Sequence, residues 1–188
     1  MFILYAVVIG LAIGLVAGGR IGSIGDIRFR WAPLVLVGFG AQVLLFSDAV
    51  AARVGDLGPV LYVASTLLVV IAVVRNCAVA GMPLVAVGAA CNLAAIVANG
   101  GFMPASAAAM AALGKAAPTI YSNSAVVAQP ALAPLTDIFA LPSWLPLHNV
   151  FSLGDVILGV GVAMVIAIAM RRGGPADGTI RPGGAWEH

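Results

Sequence analysis

The last apolar stretch of the chain, Leu153–Met170, reads LGDVILGVGVAMVIAIAM and is followed directly by Arg171 and Arg172. Asp155, near its start, is the only charged residue within it. As a helix, a stretch of this length extends about 27 Å, which is close to the thickness of the hydrocarbon core of a bilayer. We therefore predict a membrane-spanning helix that ends in two arginines at one membrane surface.

Four earlier stretches have the same character and complete a set of five predicted spans. They cover residues 2–18, 31–46, 59–74 and 79–98. The first has no Lys or Arg before it and is followed by Arg20, so we expect it to be retained as a helix and not removed as a signal peptide. The longest segment outside the spans, 99–152, holds six of the eleven prolines and is the part outside the membrane that is large enough to form a site.

Composition supports a membrane environment for the whole of residues 1–172, which we treat as one domain. Hydrophobic residues make up 62% of the 188 residues and charged residues only 9%, against roughly 25% charged in a soluble domain. In hydrocarbon the backbone must satisfy its own hydrogen bonds, and no long alternation typical of barrel strands is present, so we predict an all-α polytopic bundle. The net charge of +2 and the lack of a basic run argue against nucleic acid as a partner.

The distribution of basic residues predicts the orientation of the bundle. Seven of the nine fall on one side of the predicted spans, and only Arg53 and Lys115 fall on the other. Because Lys and Arg are retained in the cytoplasm, the N-terminus and segment 99–152 should be outside and the C-terminus inside. The Gly-rich and Pro-rich tail 173–188 should be a disordered cytoplasmic tail.

Small and polar residues inside the spans predict how the helices pack. Gly10, Gly14 and Gly18 recur every four residues and form one face that lets another backbone approach closely, within the chain or in a second copy. Gln42 and Asn92 lie deep in the second and fourth spans, where an unpaired amide is costly, so both should face the interior and bond to a neighbouring helix. They are either links between helices or part of a transport path.

The outer segment begins with a turn, Asn99-Gly100-Gly101-Phe102-Met103-Pro104, where the fourth span ends. Asn and Gly accept left-handed backbone angles, so the turn predicts a helix C-cap. It is also a candidate binding site for a headgroup or peptide carbonyl, through Asn99, Gly100, Gly101, Met103 and Pro104. Ala107 to Leu113 should form a short helix with Ser106 as its N-cap.

Two carboxylates at the far end of this segment are the candidate catalytic residues. Asp155 lies in the first turn of the last helix, where Ser152 is suited to be the N-cap, and Asp137 lies in an apolar context at the same membrane boundary. Two carboxylates at a partly dry surface can share a proton, one acting as base and the other as acid. His148 and Ser152, nearby in sequence, complete the predicted binding residues, and no metal or cofactor site is predicted.

At these residues the chain resembles the C-terminal part of lipoprotein signal peptidase (signal peptidase II). Thr136-Asp137-Ile138, followed by Phe151-Ser152-Leu153-Gly154-Asp155, is similar to that family's Val-Asp-Phe and Phe-Asn-x-Ala-Asp elements, with Ser152 and Gly154 in place of the motif Asn and Ala. The resemblance implies an aspartyl hydrolase whose catalytic pair is Asp137 and Asp155.

Almost the whole chain also resembles an uncharacterised family of short bacterial multi-pass membrane proteins, a domain-of-unknown-function family. The shared features are Gly-Gly-Arg after the first helix, the Asn-Gly-Gly-x-Met-Pro turn, the element from Asp137 to Pro142, and Phe-Ser-x-Gly-Asp at the start of the last helix. This resemblance implies a protein of the bacterial cytoplasmic membrane and implies no activity.

Three functions therefore stand as hypotheses from the sequence. The first is a binding, assembly or partner protein with a polar site on the outer membrane face. The second is a membrane-embedded aspartyl hydrolase, and the third a small transporter. Expected partners are membrane lipid and a lipid-linked or peptide ligand at the outer leaflet, and self-association into a homo-oligomer is left open.

Overall fold

The computed structural model describes residues 2–114 and 124–172, and it is mostly helical. Lys115 and the tail 173–188 lie outside the described residues. The structure therefore does not test the predicted disorder of the tail. The helices are α1 Phe2–Val16, α2 Ala32–Leu45, α3 Asp48–Ala51, α4 Leu57–Val74, α5 Met82–Ala98, α6 Ala107–Ala112 and α7 Leu153–Arg172. Short 3-10 helices cover Ile21–Asp26 and Ala133–Leu135.

The five long helices fall on the five apolar stretches predicted from the sequence. Of these, α4 with 18 residues and α7 with 20 are long and apolar enough to cross a membrane. Helices α1, α2 and α5 are also apolar but have 15, 14 and 17 residues. Length alone therefore identifies two candidate spans among the described residues, with three shorter apolar helices packed beside them.

The helices pack side by side in the order α1, α7, α5, α4, α2. Helices α1 and α2, at the two ends of this row, do not pack against each other to any comparable extent. Residues from all five helices line one cavity, which shows that the row curves around it.

Small residues fill several of the contacts between helices, and many large apolar residues point outward. Ala72 and Ala95 are fully buried, whereas Leu36 and Val43 on α2 are each 73% exposed. Large apolar side chains are also present in the core, but the number that remain on the surface is high for a water-soluble protein. Such a surface is stable in lipid, where close backbone approach drives helix association.

The contact between α5 and α7 shows this close approach most clearly. A Cβ atom added to Gly88 would lie 2.5 Å from the backbone oxygen of Gly154 and 2.5 Å from the backbone nitrogen of Leu158. On α1, Gly10 and Gly14 are buried against Ala163 and Met170 of α7. The predicted glycine face is therefore used within the chain at these two positions.

One end of the bundle carries the arginines. The backbone N–H of Arg20 donates to the carbonyl of Met170, and Arg28 and Arg172 line one cavity of about 380 Å³. Asn76, after α4, bonds to the backbone N–H and carbonyl of Arg30, at 2.8 and 2.7 Å, and so fixes the start of α2. Arg75 lies over the ring of Trp31, 5.8 Å from its centroid.

The opposite end carries the segment between α5 and α7, which has its own small core. Strands β1 Met103–Ala105 and β2 Ser124–Val126 pair in parallel, and β3 Phe139–Ala140 and β4 Val150–Phe151 pair antiparallel. Helix α6 begins as predicted, because Ser106 Oγ accepts a hydrogen bond from Ala109 N–H at 3.0 Å. A buried cluster attaches the segment to the bundle, formed by Leu45, Tyr62, Ala95, Ile96 and Met103.

Candidate functional site: a polar cavity at one end of the bundle

Asp155 and Ser152 cap the start of α7 reciprocally. The N–H of Asp155 donates to Ser152 Oγ at 3.0 Å, and the N–H of Ser152 donates to Asp155 Oδ2 at 3.1 Å. Two backbone donors that the helix leaves unpaired are thereby satisfied, and the carboxylate lies where the helix dipole favours negative charge. The predicted capping role of Ser152 is confirmed.

Asn92 of α5 joins this cap from the neighbouring helix. Its Nδ2 donates to Asp155 Oδ1 at 2.7 Å, and its Oδ1 accepts from Ser152 Oγ at 2.9 Å. The close approach of the helices permits this contact, because a Cβ atom at Gly154 would overlap Asn92 Oδ1. An alanine at position 154, as in the signal peptidase II motif, does not fit beside Asn92 in this arrangement.

Asp155 and Asn92 line a cavity of about 260 Å³ at this end of the bundle. Its wall includes residues from each of the five long helices, and Asn149 from the segment before α7. Its polar and aromatic side chains are Gln42, Thr66, Asn92, Asn149, Asp155, Phe2, Phe39 and Tyr62. It is thus a polar site enclosed by apolar helices, deep enough to reach Val70 in the last turns of α4.

Gln42 is held on the α2 side of the cavity by a chain of hydrogen bonds to α4. Its Nε2 donates to Thr66 Oγ1 at 3.1 Å, and Thr66 Oγ1 donates to the carbonyl of Tyr62 at 2.8 Å. Gln42 and Asn92 therefore both bond to neighbouring helices, as predicted, and they line the same cavity. The direction of these bonds leaves Oε1 of Gln42 as the free acceptor of that amide.

Asn149 carries the one buried side-chain oxygen or nitrogen in the described residues that has no hydrogen-bond partner, its Oδ1. A buried polar atom without a partner costs about 1–3 kcal/mol. Because Asn149 lines the cavity, this oxygen is a candidate acceptor for a ligand there.

Asp137 lies outside the cavity wall, in the core of the segment between α5 and α7. Its N–H donates to the carbonyl of Pro104 at 2.8 Å, and its carbonyl accepts from Ser106 N–H at 3.0 Å. Asp137 thus pairs in parallel with Ala105, alongside β1. The side chain is only 6% exposed. Burial raises the pKa of the Asp137 carboxyl from 3.8 to about 7, and the negative charge of Asp155 contributes to this increase.

The predicted turn at the end of α5 is tied to the rest of the outer segment. Asn99 donates from Nδ2 to the carbonyls of Ala95 and Ala131, at 2.7 and 2.9 Å, and accepts from Ala131 N–H at 2.9 Å. These bonds use most of the hydrogen-bonding capacity of the Asn99 amide, which favours a structural role for Asn99 over a ligand-binding one.

The glycines of this turn also have backbone roles. Gly100 and Gly101 have φ of +72° and +87°, and a Cβ atom at Gly101 would overlap Pro59 of α4. Gly101 N–H donates to the carbonyl of Ile96 at 2.9 Å. The turn therefore brings the chain back against α4, as a helix C-cap does.

The other predicted binding residues are not grouped around the cavity. Met103 and Pro104 are buried in and beside the core of the outer segment. His148 is half-buried and its Nδ1 lies 3.1 Å from the carbonyl of Leu145. Of the predicted site residues, the structure brings Ser152 against Asp155, which lines the cavity, and places Asp137 near enough for the charge of Asp155 to act on it.

Sequence reasoning missed Asn149, Thr66 and Tyr62 as members of this site. Thr66 and Tyr62 are four residues apart on α4, so one helical face carries both, and this spacing is a readable signal. Asn149 lies in a loop, and no periodicity indicates where a loop side chain points.

Comparison with known proteins identifies the family of the chain. No curated protein and no solved structure matches it. One family model matches residues 26–167, from the loop before α2 to near the end of α7, and its description is "Family of unknown function (DUF5317)". The match covers well over half of the chain, and the protein therefore belongs to this family of unknown function.

Proposed function

We propose that this chain is a multi-pass protein of the bacterial cytoplasmic membrane that binds a ligand at the outer end of its helix bundle. In this proposal α1, α2, α4, α5 and α7 all cross the membrane, with the N-terminus outside and the C-terminus in the cytoplasm. The outward-facing large apolar residues support the membrane environment. The gathering of Arg20, Arg28, Arg30, Arg75, Arg171 and Arg172 at one end supports the orientation.

The observation that carries the binding role is the cavity beside Asp155. A bundle with a purely structural role would be more stable if apolar side chains filled this space, because burying a charge without a counter-charge is costly. Here a carboxylate, three amides and two hydroxyl-bearing side chains line one cavity among apolar helices. Such a combination of an apolar wall and a few converging polar groups is typical of small-molecule sites.

Photo-crosslinking in living cells tests this proposal. A diazirine amino acid at Val70, which lines the cavity, should capture a discrete small molecule, detected as a defined mass added to the α4 peptide. Leu67, on the same helix and 44% exposed, is the matched control and should capture only bulk lipid. Identical adducts at Val70 and Leu67 would contradict a binding site in the cavity.

A second candidate function, an aspartyl hydrolase acting on a lipid-linked or peptide substrate at the outer leaflet, is supported by the unusual state of Asp137. Burial and the nearby Asp155 raise the pKa of the Asp137 carboxyl to about 7, so this group is largely protonated at mildly acidic pH and can donate a proton. In acid–base hydrolysis one carboxyl donates a proton while a second carboxylate accepts one, and Asp137 and Asp155 are the candidates for these two roles.

Single substitutions Asp137→Asn and Asp155→Asn test the hydrolase. In a strain that lacks the native protein, each variant should leave an uncleaved peptide or lipid species to accumulate, while the amount of folded protein stays close to wild type. Asp56→Asn, an exposed aspartate at the same end, is the control and should restore cleavage. Full cleavage by Asp137→Asn would exclude the hydrolase and leave the binding role standing.

A further inference from the structure

We propose that the cavity beside Asp155 binds the ammonium group of an amphipathic amine that enters from the membrane. This inference rests on the proposed binding function and specifies its ligand. It follows from the charge, the hydrogen-bond capacity, the size and the lateral access of the cavity.

The charge at the cavity is negative. Each oxygen of Asp155 accepts one hydrogen bond, from Asn92 Nδ2 and from Ser152 N–H. Within residues 2–114 and 124–172, the partners of this carboxylate are these two neutral groups. Both donors are neutral, so they solvate the carboxylate without neutralising its charge. The positive charge of the amino terminus acts at this end of the bundle, where it lowers the pKa of Asp137. A cationic group on a ligand is the complement of the Asp155 carboxylate itself.

The remaining polar atoms of the cavity are also acceptors. Asn149 Oδ1 is buried without a partner. Gln42 uses Nε2 as donor to Thr66 Oγ1, and the hydroxyl proton of Thr66 is given to the carbonyl of Tyr62, so Gln42 offers Oε1. A ligand that satisfies Asp155, Asn149 and Gln42 must bring donors, and an ammonium group brings up to three with its positive charge.

Aromatic rings line the same cavity and suit the same ligand. Phe2, Phe39 and Tyr62 come from three different helices. A cation within about 6 Å of a ring centroid is attracted to the face of the ring, and desolvation strengthens this attraction. An anionic ligand would be repelled both by the faces of these rings and by the carboxylate of Asp155.

Size and access indicate that only part of the ligand is enclosed. A volume of about 260 Å³ corresponds to about nine waters at roughly 30 Å³ each, which is too small for a whole lipid. Phe2 and Ile3 of α1 and Phe39 and Gln42 of α2 all line the cavity, yet α1 and α2 do not pack together. Because these two helices line one cavity without extensive contact between them, we infer that an alkyl chain extends between α1 and α2 into the outer leaflet.

Labelling with matched amphipathic probes tests the ligand class. The purified protein in dodecyl maltoside is irradiated with diazirine-bearing hexadecylamine, hexadecanol or hexadecanoic acid, and adducts are mapped by mass spectrometry. The amine should label cavity residues on the order of tenfold more than the alcohol or the acid, since a charge-assisted hydrogen bond is worth at least that ratio. Asp155→Asn should remove the preference, and Asp56→Asn should keep it.

Because Asp155→Asn also alters the cap of α7, Gln42→Leu is the second variant. It lies on α2, away from the cap, and should lower amine labelling several-fold in a protein that elutes as wild type from size exclusion. Equal labelling of the cavity by all three probes would overturn the ammonium ligand but retain a binding site.

Two further outcomes separate the parts of the inference. The absence of adducts at cavity residues with every probe would overturn both the ligand and the proposed binding function. Labelling by a short, water-soluble diazirine amine as efficient as by the hexadecylamine probe would overturn entry from the membrane.

Discussion

Asn92 donates from Nδ2 to Asp155 Oδ1 at 2.7 Å, and this contact joins the second half of α5 to the first turn of α7. The same amide accepts from Ser152 Oγ, so one side chain serves the carboxylate and the hydroxyl of a helix cap together. The site and the helix packing at this end of the bundle therefore depend on the same residue.

Replacing Asn92 with Ala should lower the free energy of unfolding by about 1–3 kcal/mol, because a charged acceptor loses its donor and Ser152 loses its acceptor. Thermal unfolding of the purified protein in detergent measures the effect. Cys91→Ala, on the adjacent position of α5 and also half-buried, is the control and should unfold near the wild-type temperature. An unchanged melting temperature for Asn92→Ala would show that the bridge contributes nothing to stability.

The pKa of Asp137 predicts a stability that falls as pH rises. With a pKa of about 7 in the folded state and 3.8 as its ordinary value, the folded protein holds a proton that the unfolded chain has released between these values. Stability from this group is therefore fully present below about pH 4, decreases from there to about pH 7, and is constant above.

Asp137→Asn should remove this dependence, because an amide does not ionise. Compared with wild type, the variant should gain a few kcal/mol between pH 4 and pH 8, since each pKa unit corresponds to about 1.4 kcal/mol. Unfolding in detergent at the two pH values gives the comparison, with Asp56→Asn as the exposed control. Parallel pH curves for wild type and Asp137→Asn would mean that Asp137 ionises freely in the folded protein.

The apolar stretches of the sequence located the long helices well, because each of these helices is apolar along its whole length and stands out from the polar and Pro-rich segments between them. The caps of α6 and α7 were also predictable, since Ser106 and Ser152 act on backbone amides three residues away. Gln42 and Asn92 were predicted to bond to neighbours because an amide in an apolar helix has few alternatives.

The order in which the helices pack was not predictable from the sequence. It depends on which small residues meet, and Gly88 looks no different from Gly40 until the structure shows that only Gly88 lies against another backbone. The environment of Asp137 was also out of reach in detail, because its burial is created by residues of β1 far away in the sequence. The cavity depends both on the packing order of the helices and on contacts between residues far apart in the sequence. Asn149 could therefore be recognised as a cavity residue only from the structure.

The glycines at 88 and 40 give a matched pair for testing the packing of α5 on α7. Gly88→Ala should destabilise the protein by about 1–3 kcal/mol, because its Cβ would lie 2.5 Å from backbone atoms of α7. It should also weaken the contact between Asn92 and Asp155. Gly40→Ala meets nothing within 4 Å and should stabilise α2 by about 0.5–1 kcal/mol. Melting temperatures that shift in the same direction for both variants would contradict this packing.

Cysteine labelling in cells tests the proposed orientation. In a background with Cys77 and Cys91 replaced by Ser and Ala, Trp144→Cys places a thiol at a position that is 79% exposed in the outer segment, and Arg28→Cys places one at the arginine-bearing end. A membrane-impermeant maleimide should label Trp144→Cys in intact spheroplasts and Arg28→Cys only after the membrane is opened. The reason is that arginines resist transfer across the membrane during insertion, so the end that carries six of them stays in the cytoplasm. The reverse labelling pattern would place the cavity and Asp155 on the cytoplasmic side, and the ligand would then have to come from the inner leaflet.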